Sequence, residues 1–115
     1  FCSTTDISCN SMAIFSSKNQ KTKTDFRNYD LLNPNRYIPY VLPKNVAKKL
    51  VNLMKDINLS TGSIDMIKDS FGRYIFLEVN PIGQFGMVSK PCNYNLEKLV
   101  AQVLIKKLEH AKKNI

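Results

Sequence analysis

In the segment GSIDMIKDSFGRYIFLEVNPIGQF, residues 62 to 85, Asp65, Glu78 and Asn80 stand inside two otherwise apolar runs. Asp and Asn are poor strand formers, and a carboxylate beside a core costs several kcal/mol unless it is paired or ligated. Two carboxylates and an amide oxygen that converge on one face form a hard-oxygen donor set. Such a set suits Mg²⁺, which takes one or two carboxylates and completes its octahedron with phosphates and water. The charge of the ion would offset the repulsion between Asp65 and Glu78. The same residues also suit a solvated sheet face, with Asn80-Pro81 opening a turn, and spacing alone leaves both readings open.

The elements that must position this set are two strands, about 62–68 and 73–80, joined by the turn DSFG with Gly72 free for positive φ. Alternation puts Tyr74, Phe76, Glu78 and Asn80 on one face and the aliphatic Ile75, Leu77 and Val79 on the other, toward the helices. A four-residue loop pairs Lys68 with Arg73 and sets Asp65 opposite Phe76, one diagonal step from Glu78. An odd loop length would turn Asp65 to the aliphatic face.

Around this hairpin, SMAIFSS (11–17) reads as a short strand and KTKTDFRNYD (21–30) as an extended segment. LLNPNRYIPYVLP, with three prolines, reads as loop or edge structure. Pro43 opens a helix expected to run to about Asn58, with Val46, Leu50, Leu53 and Ile57 as its apolar stripe. NPIGQFGMVSKPCNYN (80–95) reads as a loop. A last helix, about 95–112, follows Asn95 as its capping candidate, with Leu96, Leu99, Val100, Val103, Leu104 and Leu108 as its buried face. Residues 1–10 lack periodicity and are expected to be irregular. The fold class expected is α+β, an antiparallel sheet with helices packed on one face, and Ile75, Leu77 and Val79 sharing one core with both helices.

The chain of 115 residues allows a single modest core, and 43% hydrophobic content fits a folded globular domain. No apolar run approaches the roughly 18 residues of a membrane span, and no basic-then-apolar leader follows Phe1, so neither membrane nor secretion is expected. Three cysteines without CxxC spacing, and His110 as the one histidine, exclude a zinc site or a Ser-His-Asp triad. Free thiols are expected, and with them a cytoplasmic location. Seventeen Lys+Arg against nine Asp+Glu, a net charge of +8, favour anionic partners. No RNP motif, finger or basic heptad supports nucleic acid, and most lysines fall on faces that read as solvated helix surface.

The segment 62–85 resembles the C-terminal core of the ATP-grasp ligase superfamily. There an Asp on one strand and a Glu-x-Asn at the end of the next hold the magnesium ions of Mg-ATP. With SMAIFSSKNQKTKTDFRNYD, PNRYIPYVLP and NPIGQFGMVSKPCNYNLE, the chain looks closest to the grasp-with-spasm peptide maturases, relatives of the microviridin-type ligases that macrocyclise ribosomal peptides (graspetides, a class of RiPP). The resemblance runs from about Ser11 to Leu108. It implies ATP and two Mg²⁺ ions as cofactors in the intact enzyme, with Asp65 on one ion, Glu78 bridging both and Asn80 completing the second. It also implies Arg27 against the nucleotide phosphates or the acyl-phosphate, a task suited to a planar fork of donors. Lys23, Gly83 and Gln84 are further candidates for nucleotide or substrate contact. The implied partner is a precursor peptide whose Asp/Glu side chains are joined to Ser/Thr or Lys, with homodimerisation left open for the intact enzyme.

The departures define a second expectation. The glycine-rich phosphate loop, the adenine-pocket lysine and the hinge of ATP-grasp enzymes are absent, as is the domain that precedes them, and residues 1–10 do not resemble the strand expected before SMAIFS. Residues 11–115 therefore read as the C-terminal ATP-grasp subdomain of a longer ligase. Alone, the chain is expected to bind ATP poorly and to catalyse nothing. The competing function is a non-catalytic basic module that binds an acidic peptide or nucleic acid, which a steep salt dependence of binding would reveal.

Overall fold

A computed structural model of the chain describes residues 1–15, 37–82 and 85–114. Its strands are β1 (Cys2–Ser3), β2 (Ser8–Cys9), β3 (Ser11–Ile14), β4 (Tyr37–Tyr40), β5 (Thr61–Lys68) and β6 (Tyr74–Asn80), and its helices α1 (Lys44–Asp56), α2 (Gly86–Cys92) and α3 (Leu96–Lys113). β2, β1, β5 and β6 form a four-stranded antiparallel sheet in that order, and β3 and β4 form a separate two-stranded ribbon. The expected α+β class is the class observed.

The four-residue strand β4 carries Pro39 and, among the described residues, pairs with β3 alone, as an edge strand can when one ladder donor is missing. Pro43 is the N-cap of α1, which stops where Asn58 turns left-handed (φ 59°). There the Leu59 N–H bonds the Met54 carbonyl at 2.8 Å and the Asn58 N–H bonds the Lys55 carbonyl, a Schellman closure that satisfies otherwise orphaned carbonyls. The main core lies between α1 and the sheet. Cys2, Leu50 and Met54 form its centre, with Val46, Ile64 and Met66 packed against it. Met54 is fully buried, a contribution of about 1.5–3 kcal/mol. Gly62 permits the close approach of β5, because a Cβ there would lie 3.3 Å from the Met54 terminal methyl.

Several expectations are corrected. Residues 1–10 are not irregular: they form the β1–β2 hairpin, in which Cys2 pairs with Cys9 and the Phe1 and Asn10 backbones bond each other. Cys2 and Cys9 are not free thiols but a disulfide, with Cα atoms 4.1 Å apart, so the inference of a reducing compartment loses that support. Cys92 alone is free, and burial pushes its thiol pKa up. Residues 80–95 are not all loop, since α2 occupies 86–92. The core around α1 does not include α3, which contacts α2 and buries Leu96 and Val103, while Leu104 and Leu108 are exposed. Asn95 precedes α3 in a left-handed conformation without capping it. Ser89 does so instead: its Oγ accepts the Leu96 N–H at 2.9 Å and donates to Glu97 at 2.7 Å.

Candidate functional site

The hairpin turn is three residues long, not four. Gly72 adopts φ +80°, and the Asp69 N–H bonds the Arg73 carbonyl, so Ser70, Phe71 and Gly72 make the loop. Asp69 braces it: Oδ1 accepts the N–H groups of Phe71 and Arg73, and Oδ2 lies 2.6 Å from Arg73 Nε. The Arg73 N–H in particular holds the Asp69 carboxyl below its ordinary range. Asp69 together with Gly72 just before the strand is the signal for such a loop, since this hairpin form needs a left-handed residue in its last position.

The shorter loop moves the register by one residue. Lys68 pairs with Tyr74, Ile67 with Ile75, and Met66 with Phe76. A β-bulge then moves it again: between Asp65 and Met66 the ladder shifts, Leu77 is the extra residue, and Asp65 stands directly opposite Glu78. Ser63 pairs with Asn80. The structure therefore brings Asp65, Glu78 and Asn80 to one face, with the two carboxylates as a cross-strand pair rather than a diagonal one.

The bulge also splits the face assignment. Val79 lies toward α1, as expected, but Ile75 and Leu77 are 43% and 52% exposed. Tyr74 and Phe76 instead turn to α1, where with Met66 they line a cleft against Val46, Lys49, Leu50 and Leu53. Asp65, Glu78 and Asn80 are solvent-exposed. Burial cost therefore does not demand a ligand for them, contrary to the expectation from their apolar neighbours in sequence.

The donor set nonetheless fits an oxygen-ligated divalent cation. Two carboxylates oppose each other, and neither has a cation within ion-pair distance among the described residues, the Phe1 ammonium attracting Asp65 from farther off. The Ser63 hydroxyl lies opposite Asn80, buried and without a hydrogen-bond partner among the described residues. Asn80 Oδ1 accepts the Ile82 N–H at 3.1 Å, which fixes the side chain and leaves one lone pair. Among the described residues, no group of three or more His, Cys, Asp or Glu side chains gathers anywhere. Arg27, Lys23, Gly83 and Gln84 lie outside the described residues.

A second polar group, missed in the sequence, sits on the α1 side of the hairpin. The Tyr40 and Tyr74 hydroxyls share a hydrogen bond of 2.5 Å, and Lys68 Nζ donates to Tyr40 at 3.2 Å. The ammonium lies 5.6 and 5.5 Å from the two ring centroids. The bond to Tyr74, aided by Lys68, lowers the Tyr40 pKa, while that same bond raises Tyr74. Bonding to Tyr40 raises Lys68. The cluster depends on Lys68 standing beside Tyr74, a pairing that the four-residue loop would have excluded.

No family model matches the chain. No curated protein matches it. Solved structures do. A RiPP-associated ATP-grasp ligase from Chryseobacterium gregarium, in complex with ADP and a leader and core peptide, superposes with a TM-score of 0.79 and 26% identity, over 88% of this chain and 31% of that one. The macrocyclase MdnC from Microcystis aeruginosa MRC, bound with precursor peptide MdnA, superposes with a TM-score of 0.67 and 34% identity, over 88% of this chain and 30% of that one. The chain thus spans under a third of the length of each ligase it matches. The likeness first read from FLEVNPIGQF extends to three dimensions, and over most of its length this chain is built like the RiPP-associated ATP-grasp ligases.

Proposed function

We propose that the chain is the metal-holding, C-terminal part of an ATP- and Mg²⁺-dependent ligase that crosslinks side chains of a ribosomal precursor peptide. The observation that carries this reading is the cross-strand pair Asp65–Glu78, with Asn80 next on the same face, in a fold shared with peptide-modifying ATP-grasp ligases. In that reading Asp65, Glu78 and Asn80 hold Mg²⁺, which supplies charge neutralisation for nucleotide phosphates. The substrate is a peptide carboxylate. Its oxygen attacks the γ-phosphorus of ATP, ADP leaves, and a hydroxyl or amine of the same peptide displaces phosphate from the acyl-phosphate. Arg27 serves the reaction as a planar donor to the transferring phosphoryl group. Lys23, Gly83 and Gln84 are assigned to nucleotide and substrate contact.

Asp65, Glu78 and Asn80 supply a metal face but no adenine pocket. The ATP affinity of this chain alone is therefore millimolar or weaker, because phosphates held from one side only must compete with water. An amide-resolved NMR titration with Mg²⁺, then with Mg-ADP, tests the reading. Shifts centred on Asp65, Glu78 and Asn80, abolished by Glu78→Ala, are expected. Shifts that bypass all three overturn the metal assignment. In a full-length ligase the same substitution abolishes turnover.

A further inference from the structure

We infer that the cleft between α1 and the inward face of the β5–β6 hairpin docks an acidic peptide segment through one apolar anchor side chain, a proposal that takes its choice of a peptide from the ligase reading above. The cleft measures about 270 Å³, below the roughly 300–1,000 Å³ of small-molecule pockets. Its size suits a single inserted side chain rather than a nucleotide. Val46 and Leu53 form one wall and Met66, Tyr74 and Phe76 the other, with Lys49 at the rim. Phe76 remains 44% exposed there, an aromatic surface that an anchor would cover.

Charge selects the occupant. α1 carries Lys44, Lys48, Lys49 and Lys55 against Asp56 as its one acid. Neither Lys49 nor Lys68 has a carboxylate within ion-pair distance among the described residues. Tyr40 and Tyr74 have two hydroxyl hydrogens and spend one on each other, while Lys68 donates to Tyr40. Among the described residues one phenolic hydrogen therefore stays available for an incoming acceptor. Apolar walls edged by ammonium and hydroxyl donors match an apolar residue flanked by Glu or Asp. Among the described residues β6 is the last strand of its sheet, and a peptide seated here can pass over that edge toward the face of Asp65 and Glu78.

The test is fluorescence anisotropy with the 115-residue chain and a labelled synthetic peptide that carries a central leucine flanked by glutamates. Saturable binding is expected, weakened about tenfold by Phe76→Ala or Lys49→Glu, the scale of losing one anchor or one charge contact. Ile75→Ser on the opposite face leaves affinity unchanged. Both cleft substitutions lie at exposed positions, and circular dichroism verifies the fold of each variant. Four results overturn the proposal: no saturable binding, equal binding of a peptide with glutamine for glutamate, displacement by a single-stranded oligonucleotide, or self-association of the chain that Phe76→Ala abolishes. Peptide binding that survives while the Mg²⁺ response of the outer face is absent fails the ligase reading alone. The converse fails the docking proposal alone.

Discussion

Asp65 and Glu78 are like charges placed directly across an antiparallel pair, an arrangement that opposes folding by about 0.2–1 kcal/mol when no cation intervenes. Asp65→Asn should therefore raise the melting temperature in metal-free buffer and remove the rise that Mg²⁺ produces in the wild type. Thermal melts with and without Mg²⁺ measure both; a variant that keeps the full Mg²⁺ response excludes Asp65 as a ligand. The identity of these residues was legible in the sequence, because acids in β-branched runs stand out. Their exposure was not legible. Alternation assumes a ladder without extra residues, and Leu77 breaks that assumption between Phe76 and Glu78. Lys68, Tyr74 and Tyr40 escaped notice for a related reason, since their meeting depends on a one-residue choice of loop length and on a strand 28 residues away from Lys68.

At the scale of elements, the α2–α3 junction hangs on Ser89, which is buried and bonded on both sides. Ser89→Ala should cost about 1 kcal/mol in denaturant unfolding, the usual loss for a helix cap. Its bond to Glu97, together with the nearby backbone, keeps that carboxyl below its ordinary range. A depressed carboxyl stabilises the fold above the unfolded value of about 4.3 and loses that contribution as pH falls through the folded value. Stability should thus decline on acidification below about pH 4.3, and less steeply in Ser89→Ala. The β1–β2 hairpin is stapled by Cys2–Cys9 at a separation of seven residues. Closing so short a loop contributes about 2.5 kcal/mol on the chain-entropy account, so reductant or Cys9→Ser should lower the unfolding midpoint accordingly. Helix α1 and the strands of the hairpin were readable from periodicity. α2 was not, because its seven residues include both Gly86 and Pro91 and leave only Met87, Val88 and Cys92 as apolar side chains.

At the scale of the whole molecule, apolar surface is uncovered outside the cleft as well. Ile67, Ile75 and Leu77 lie on the outer hairpin face, and Leu104, Ile105 and Leu108 are exposed on α3. On α3 the spacing of those three places them on one side, away from buried Leu96 and Val103. Surfaces of this kind drive association, while the net charge of +8 opposes it. Sedimentation should show weak self-association that grows with salt and falls in Leu104→Lys with Leu108→Glu. Salt-independent monomers in the wild type would contradict this. The α+β class and the hairpin at its centre were legible from alternation and turn chemistry. The division of labour among the helices was not, because a stripe of apolar residues specifies that a helix packs but not upon what.

The extra residue in β6 exchanges the faces of its even-numbered positions partway along the strand. Toward the tip, the side chains of Met66, Tyr74 and Phe76 address α1; toward the base, those of Asp65, Glu78 and Asn80 address solvent. With Leu77 present, the bulge is what sets Glu78 and Asn80 on the face of Asp65, since strict alternation would carry them to the face of Tyr74 and Phe76. Excising Leu77 alone would leave every remaining partner in place, Phe76 still across from Met66 and Glu78 still across from Asp65, while straightening the ribbon between them. The hairpin should consequently tolerate the deletion of Leu77 with its fold intact by circular dichroism, although a residue is lost from the middle of β6.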